Sequence, residues 1–202
     1  MTTSMLLQTI RGEPTLRRPL WIMRQAGRYL PEYREFRKTH SFKALAQNAE
    51  LAAEVTLMPL RRFPLDAAII FADIMSPLPA LGVEFDFDPG PVVAKPIRDA
   101  EAIARLKRPD PETIAPEVME ALRLTRAELA PSTALLGFCG APWTLAAYLV
   151  EGRGTKEFPL LRAFAAERGH SLLDVAIGWL ASRPTRTKSA LIRPCVPYSW
   201  PR

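Results

Sequence analysis

The chain has 202 residues, 48% of them hydrophobic and 24% charged, with a formal net charge of +6. That composition suits a folded domain with a sizeable core and excludes an intrinsically disordered chain. The excess charge is local: Arg183 to Arg202 holds five basic residues and no acidic one, whereas the other 182 residues carry 22 basic and 21 acidic ones, so a basic face for nucleic acid is not expected.

Residues 1–18 are a polar lead with a short apolar turn (Met5, Leu6, Leu7), read as a helical arm. Leu20, Trp21, Ile22 and Met23 form an apolar run that reads as a buried strand, ending in the turn Arg24-Gln25-Ala26-Gly27-Arg28. Such a turn suits anion binding: Gly27 lets the backbone bend or approach a ligand, and two guanidiniums offer planar forks for carboxylate or phosphate. An ordinary loop with solvated arginines is the alternative, and Arg37, on a charged helical turn from Glu32 to His40, is open to the same two readings.

Asn48 is placed to cap a helix with Leu51, Val55 and Met58 on one face, and Pro59 is expected to kink or end it. Asp66 to Asp73 reads as a second buried strand, its near-continuous apolar run being what a parallel strand covered on both faces needs. Asp73 then sits at the strand's C-terminal end, either as a site carboxylate or as the cap of the turn that follows. Val83 to Phe87 alternates apolar and acidic residues, as an exposed hairpin strand does, with Glu84, Asp86 and Asp88 solvated.

Asp99 starts a short helix with Ile103 and Leu106 inward; Asp110 and Pro111 start a longer one with Ile114, Val118 and Leu122 as its stripe, continuing to Leu129. Thr133 to Phe138 is the third expected strand, and Pro142 begins a helix bearing Tyr148 that Gly152 stops. For Tyr148, half-buried packing with the hydroxyl at the surface competes with a role at a site. Beyond Phe158 two amphipathic helices are expected, one with Leu161 and Phe164, the other with Leu172 to Leu180, followed by a Pro-rich basic tail over 184–202 expected to be disordered.

With two separated cysteines (Cys139, Cys195) and two separated histidines (His40, His170), neither a disulfide framework nor a metal site is expected. The N-terminus lacks the pattern of a signal peptide, and the longest apolar run, 65–83, is broken by Asp66, Asp73, Pro77 and Pro79. A cytoplasmic protein without a membrane span is expected.

Three stretches in order, WIMRQAGRYLPEYR, IIFADIMSPLPALGVEFDFDPGPVV and LLGFCGAPWTLAAYLVEG, resemble uroporphyrinogen decarboxylases over about Pro19 to Phe158. The resemblance implies an α/β fold: the first three strands and helices of a TIM-type (β/α)8 barrel, occupying residues 1–158. Residues 159–183 look less like that family than like a late helix pair of aldo-keto reductases.

The implied reaction is decarboxylation of the four acetate side chains of uroporphyrinogen, a substrate with eight carboxylates, to give coproporphyrinogen. It needs no cofactor and no metal. By the same resemblance Arg24, Arg28 and Arg37 grip substrate carboxylates, Gln25, Ala26 and Gly27 supply loop backbone, Asp73 stabilises a cationic pyrrole, and Tyr148 donates its hydroxyl. A homodimer is implied, and impaired activity is expected because the later half of the barrel has no counterpart. The alternative is a non-catalytic chain that binds porphyrinogen or a partner. A related corrinoid-linked methyltransferase would need His and Cys ligands that the sequence does not group.

Overall fold

Two short parallel strands lie at the centre of the fold, β1 (Ala67–Ile69) and β4 (Ala134–Leu136), paired in the register Ala67–Ala134 to Ile69–Leu136. A computed structural model of the chain describes residues 4–87 and 90–170. The strands are the cores of the second and third expected strands, and helices between them give the parallel connection its crossover. The described residues are therefore α/β, as the sequence implied.

The first expected strand is not one. Leu20 to Met23 forms no ladder, and Leu20, Ile22 and Met23 are more than half exposed. A strand needs a run of backbone partners, and among the described residues this segment has a single backbone bond toward β1, from the N–H of Asp66, just before the strand, to the Leu20 carbonyl at 2.8 Å. Two of the three expected strands are present, with an antiparallel hairpin of β2 (Phe85–Phe87) and β3 (Pro91–Val93) beside them. In the hairpin the expected alternation holds, with Glu84 and Asp86 exposed.

Helix α1 (Met5–Ile10) is capped by the Ser4 hydroxyl, and its Leu6 packs on Ala67 and Ala134. Helices α2 (Pro31–Thr39), α3 (Phe42–Gln47) and α4 (Ala49–Arg62) follow. Ser41 caps α3, and the Asn48 side chain accepts the Leu51 N–H at 2.8 Å to start α4. Pro59 neither ends nor breaks α4, which runs three residues past it: proline withholds only its own N–H, and its carbonyl still accepts the Phe63 N–H. Leu30, Tyr33, Leu45, Val55 and Met58 form a buried cluster joining these helices. Each large side chain fully buried there contributes about 1.5–3 kcal/mol.

Asp99 caps α5 (Ala100–Ala104) as expected, but Ile103 is exposed. The helix is five residues long; Leu106 packs inward as expected, and Ala102 takes the inward place expected of Ile103. The next helix starts late. Asp110 caps a single 3₁₀ turn, Pro111–Thr113, and Ile114 is extended before α6 (Pro116–Glu128). The physical reason is Pro116, which bars the residue before it from right-handed helix; Ala115 sits at φ 52, in the left-handed region. Val118 and Leu122 then pack beside Ala52, Ile70 and Ala121.

Helix α7 (Pro142–Glu151) begins on Pro142 and stops at Gly152, whose φ of 85 suits a left-handed C-terminal cap. The hairpin is fastened to this end of α7 by the Val93 N–H to the Gly152 carbonyl and the Ile97 N–H to the Leu149 carbonyl, both 2.7 Å. Helix α8 (Pro159–Ala166) packs on α7 through Leu161, and the buried Glu151 carboxylate accepts the Leu161 N–H at 2.9 Å. The second helix expected after Phe158 and the tail over 184–202 lie outside the described residues.

Candidate functional site

Asp66, immediately before β1, fixes the segment that leads into the arginine turn. Its carboxylate accepts both terminal nitrogens of Arg17, at 2.7 and 2.8 Å, and the Leu20 N–H at 2.7 Å. The bond from Arg17, with help from the Leu20 N–H, holds the Asp66 carboxyl below the usual carboxylate range against the opposing effect of burial. Gln25 does the rest. Fully buried, its side chain donates to the Ala67 carbonyl at 3.0 Å and accepts the Ile22 N–H at 3.2 Å. A side-chain amide thus occupies the place beside β1 where a strand was expected.

Gly27 has an ordinary backbone angle, and a Cβ there would meet only the Arg24 carbonyl at 3.6 Å and Tyr29 at 4.0 Å. The turn does not depend on glycine at that position. The close approach lies elsewhere: a Cβ on Gly140 would stand 2.7 Å from the Ile74 carbonyl, where the loops after β1 and β4 meet.

The segment after β1 is held from below. Thr56, buried in α4, accepts the Phe71 N–H at 2.8 Å, two residues before Asp73. Asp73 caps the turn that follows β1, where one oxygen accepts the Met75 N–H at 2.6 Å, and it also faces the open space of a cavity. Burial pushes its carboxyl above the usual range, and the Met75 hydrogen bond only partly opposes this.

That cavity, of about 550 Å³, is lined by Arg28 and Arg37 from the loop and α2, Asp73, and Tyr148 from α7. A neighbouring cavity of about 710 Å³ shares Arg28 and Asp73 and adds Arg24, Ala26 and Gly27. Of the eight residues expected at the site, seven therefore face one of two adjoining cavities, and Gln25 lies beneath them as a strut. Among the other lining residues, three titratable ones were not expected at the site: Tyr33, Lys43 and Asp86. Tyr33 was hidden because its ring is core; burial raises its hydroxyl, while the charges of Arg37 and Arg28 pull it back, so both guanidiniums act at one place.

Some arginines of the described residues are paired and others are not. Arg17 is paired with Asp66, Arg61 with Glu54 and Arg62 with Glu32. Among the described residues Arg24, Arg28 and Arg37 form no salt bridge; Arg37 bonds instead to the His40 carbonyl at 2.7 Å. Cationic forks left without carboxylate partners at a cavity wall suit a polyanionic ligand. No three His, Cys, Asp or Glu side chains converge on a common point among the described residues.

The sequence profile of the family described as uroporphyrinogen decarboxylase (URO-D) matches residues 1–181. The chain belongs to the uroporphyrinogen decarboxylase family. The match continues past Phe158, where the sequence reading ended it, so residues 159–181 fall within the family match and the likeness to aldo-keto reductases is set aside. The chain is 47% identical over 196 residues to the uroporphyrinogen decarboxylase of Xanthomonas campestris pv. campestris strain B100, and 48% identical over 196 residues to that of Xylella fastidiosa strain Temecula1. Each alignment covers 92% of this chain and 55% of the relative, so the chain spans about half the length of the curated relatives it matches. Among solved structures, a methyltransferase from Methanosarcina mazei aligns with a TM-score of 0.53 at 21% identity, over 86% of this chain and 51% of that one. That likeness shows a shared fold. No helix among the described residues is long and apolar enough to cross a membrane.

Proposed function

We propose that these residues form the front part of a site that decarboxylates the acetate side chains of uroporphyrinogen to give coproporphyrinogen. The observation that carries the reading is the convergence of Arg28 and Arg37, both without carboxylate partners among the described residues, on a cavity that also holds the half-buried Asp73. The fold is that of a partial (β/α)8 barrel. The setting is cytoplasmic, the chain is a homodimer, and neither nucleic acid nor a membrane takes part.

An acetate carboxylate joined through a methylene to a pyrrole leaves only when its electron pair has somewhere to go. Protonation of the pyrrole ring creates a cationic sink. The methylene–carboxyl bond then breaks, carbon dioxide departs, and the electron pair neutralises the ring before a proton replaces the lost group. The substrate's own ring thus supplies what a cofactor would. Arg24, Arg28 and Arg37 bind the carboxylates that are not reacting and fix the ring's position. Asp73 accepts hydrogen bonds from pyrrole N–H groups and stabilises the transient cation; Tyr148 donates its hydroxyl to a substrate carboxylate.

Turnover by the chain alone is impaired, because the described residues, with their two-stranded parallel sheet, enclose the cavities only in part. The test is conversion of uroporphyrinogen by the purified chain, with Asp73→Asn as the comparison. A slow conversion that Asp73→Asn reduces by a further two to three orders of magnitude, equivalent to about 2.7–4 kcal/mol of barrier, is the expected result. Conversion at an equal rate in both proteins overturns the assignment of Asp73. A second reading, binding of a partner chain without catalysis, is favoured by the exposed Leu20, Ile22 and Met23 beside β1. It is the outcome if the chain binds porphyrin but converts none.

A further inference from the structure

The cavity that holds Arg28 and Arg37 contains a third cation, and its present partner is a poor one. Lys43, on α3, directs its ammonium to Asp86 Oδ1 at 3.4 Å and to the Phe85 carbonyl at 3.5 Å. Both distances lie beyond the usual range for an N–H donor and a carboxylate or carbonyl oxygen. The acceptor is also shared, since Asp86 Oδ1 takes the Phe87 N–H at 2.9 Å. The Asp86 side chain is 80% exposed, so water competes for it as well. By contrast, Lys38 holds Glu35 at 2.8 Å on the open surface of α2. Lys43 and Asp86 nevertheless both line the cavity with Arg28, Arg37, Asp73 and Tyr148.

We propose that Lys43 is a carboxylate-binding residue of this site, exchanged from Asp86 of the hairpin onto a polycarboxylate ligand when one occupies the cavity. The proposal rests on the functional reading above, and gives that site a specificity residue it otherwise lacks. A ligand carboxylate offers the ammonium a full charge in a more enclosed place than the exposed Asp86, and exposed pairs of the Lys43–Asp86 kind oppose such an exchange only weakly. The two residues are thereby given opposite roles. Lys43 favours the ligand, whereas Asp86, 80% exposed and screened by water, opposes it by competing for Lys43.

A purely structural role makes a different demand. If the pair only ties α3 to the hairpin, removing either partner breaks the same tie, and both substitutions shift binding in the same direction. Exchange requires opposite directions. It also requires that the gain from removing Asp86 depend on the presence of Lys43, which a double-mutant cycle measures.

The experiment is a fluorescence titration of the full chain with uroporphyrin, the oxidised ring with the same eight carboxylates, at low ionic strength. Lys43→Met is expected to weaken binding about three- to tenfold, Lys43→Arg to retain it, and Asp86→Asn to tighten it about two- to threefold. In the double variant the gain from Asp86→Asn is expected to vanish. Where Lys43→Met perturbs folding, Lys43→Gln takes its place, judged by an unchanged unfolding midpoint. Lys43→Met binding like the wild type, equal directions for the two single substitutions, or a full gain in the double variant overturns the proposal. If Arg28→Gln weakens binding while Lys43 proves indifferent, the functional reading stands and this proposal alone fails; if the unaltered chain binds no uroporphyrin, both fail.

Discussion

The Thr56 hydroxyl joins a helix to the segment that carries Asp73: it donates to the Ala52 carbonyl at 2.7 Å within α4 and accepts the Phe71 N–H at 2.8 Å. Thr56 is fully buried, so neither bond can be replaced by water without opening the core. Thr56→Val keeps the shape and removes the acceptor. It is expected to cost about 1–3 kcal/mol in urea denaturation, whereas Thr56→Ser, which keeps the hydroxyl, costs less. A Val variant as stable as the wild type would show that the Phe71 N–H does not need this partner.

Gly140 is where the loops after β1 and β4 come closest. Its N–H donates to the Ile74 carbonyl at 3.2 Å, and an added Cβ would stand 2.7 Å from that oxygen and 2.8 Å from the Leu145 side chain. Because one obstacle is backbone, Gly140→Ala must displace the Ile74 segment, next to Asp73. The expected cost is about 1–3 kcal/mol of stability, with weaker uroporphyrin binding measured in the same preparation. Gly27→Ala, which meets no such obstacle, is the matched comparison and is expected to be nearly neutral for stability.

Asp73 gives stability a dependence on pH with a definite sign. Burial raises its folded carboxyl above the unfolded value of about 4, so the fold favours the protonated form. That contribution is present at acid pH and lost as pH rises through the raised folded value. Asp73→Asn keeps an oxygen for the Met75 N–H and has no charge to desolvate. Urea denaturation of both proteins from acid to neutral pH is expected to show the Asn variant gaining on the wild type as pH rises through the Asp73 value, then a constant difference. A difference that is flat throughout would mean Asp73 is not desolvated.

Asp66 has the opposite sign. The bond from Arg17 lowers its folded carboxyl, so its stabilisation is present above the unfolded value and is lost as pH falls through the lower folded value. Asp66→Asn is expected to destabilise at neutral pH by about 1–2 kcal/mol and to flatten the acid limb of the stability curve. An unchanged acid limb would exclude Asp66 as one of the groups responsible for acid sensitivity.

The cavity arginines and the paired arginines are expected to separate in one salt series. Arg28→Gln and Arg37→Gln remove cations without salt-bridge partners among the described residues, so uroporphyrin binding is expected to fall about tenfold at low salt and less at high salt, with unfolding midpoints little changed. Arg62→Gln, which strips Glu32 of its partner, is expected to move stability and leave binding alone. Equal effects of Arg28→Gln and Arg62→Gln on binding would mean that overall charge, not the cavity, attracts the ligand.

The sequence by itself determined what is settled within a few residues. Asn48, Ser4, Ser41 and Asp99 each sit three residues from the N–H they cap, and Pro142 and Gly152 bound their helix through their own backbone preferences. The arginine turn and Asp73 were legible too, because their residue types and order carry the family resemblance. Tertiary structure decided the rest. Leu20 to Met23 is apolar enough for a strand, yet pairing requires a neighbour to supply a ladder, and the Gln25 side chain takes the Ala67 carbonyl instead. Ala115 turned left-handed where a continuous stripe promised helix, since the ring of Pro116 outweighs periodicity. Which arginines remain without carboxylates, and that Tyr33 and Lys43 share a wall with Asp73, depends on partners distant along the chain; only the folded backbone brings those charges within reach of one another.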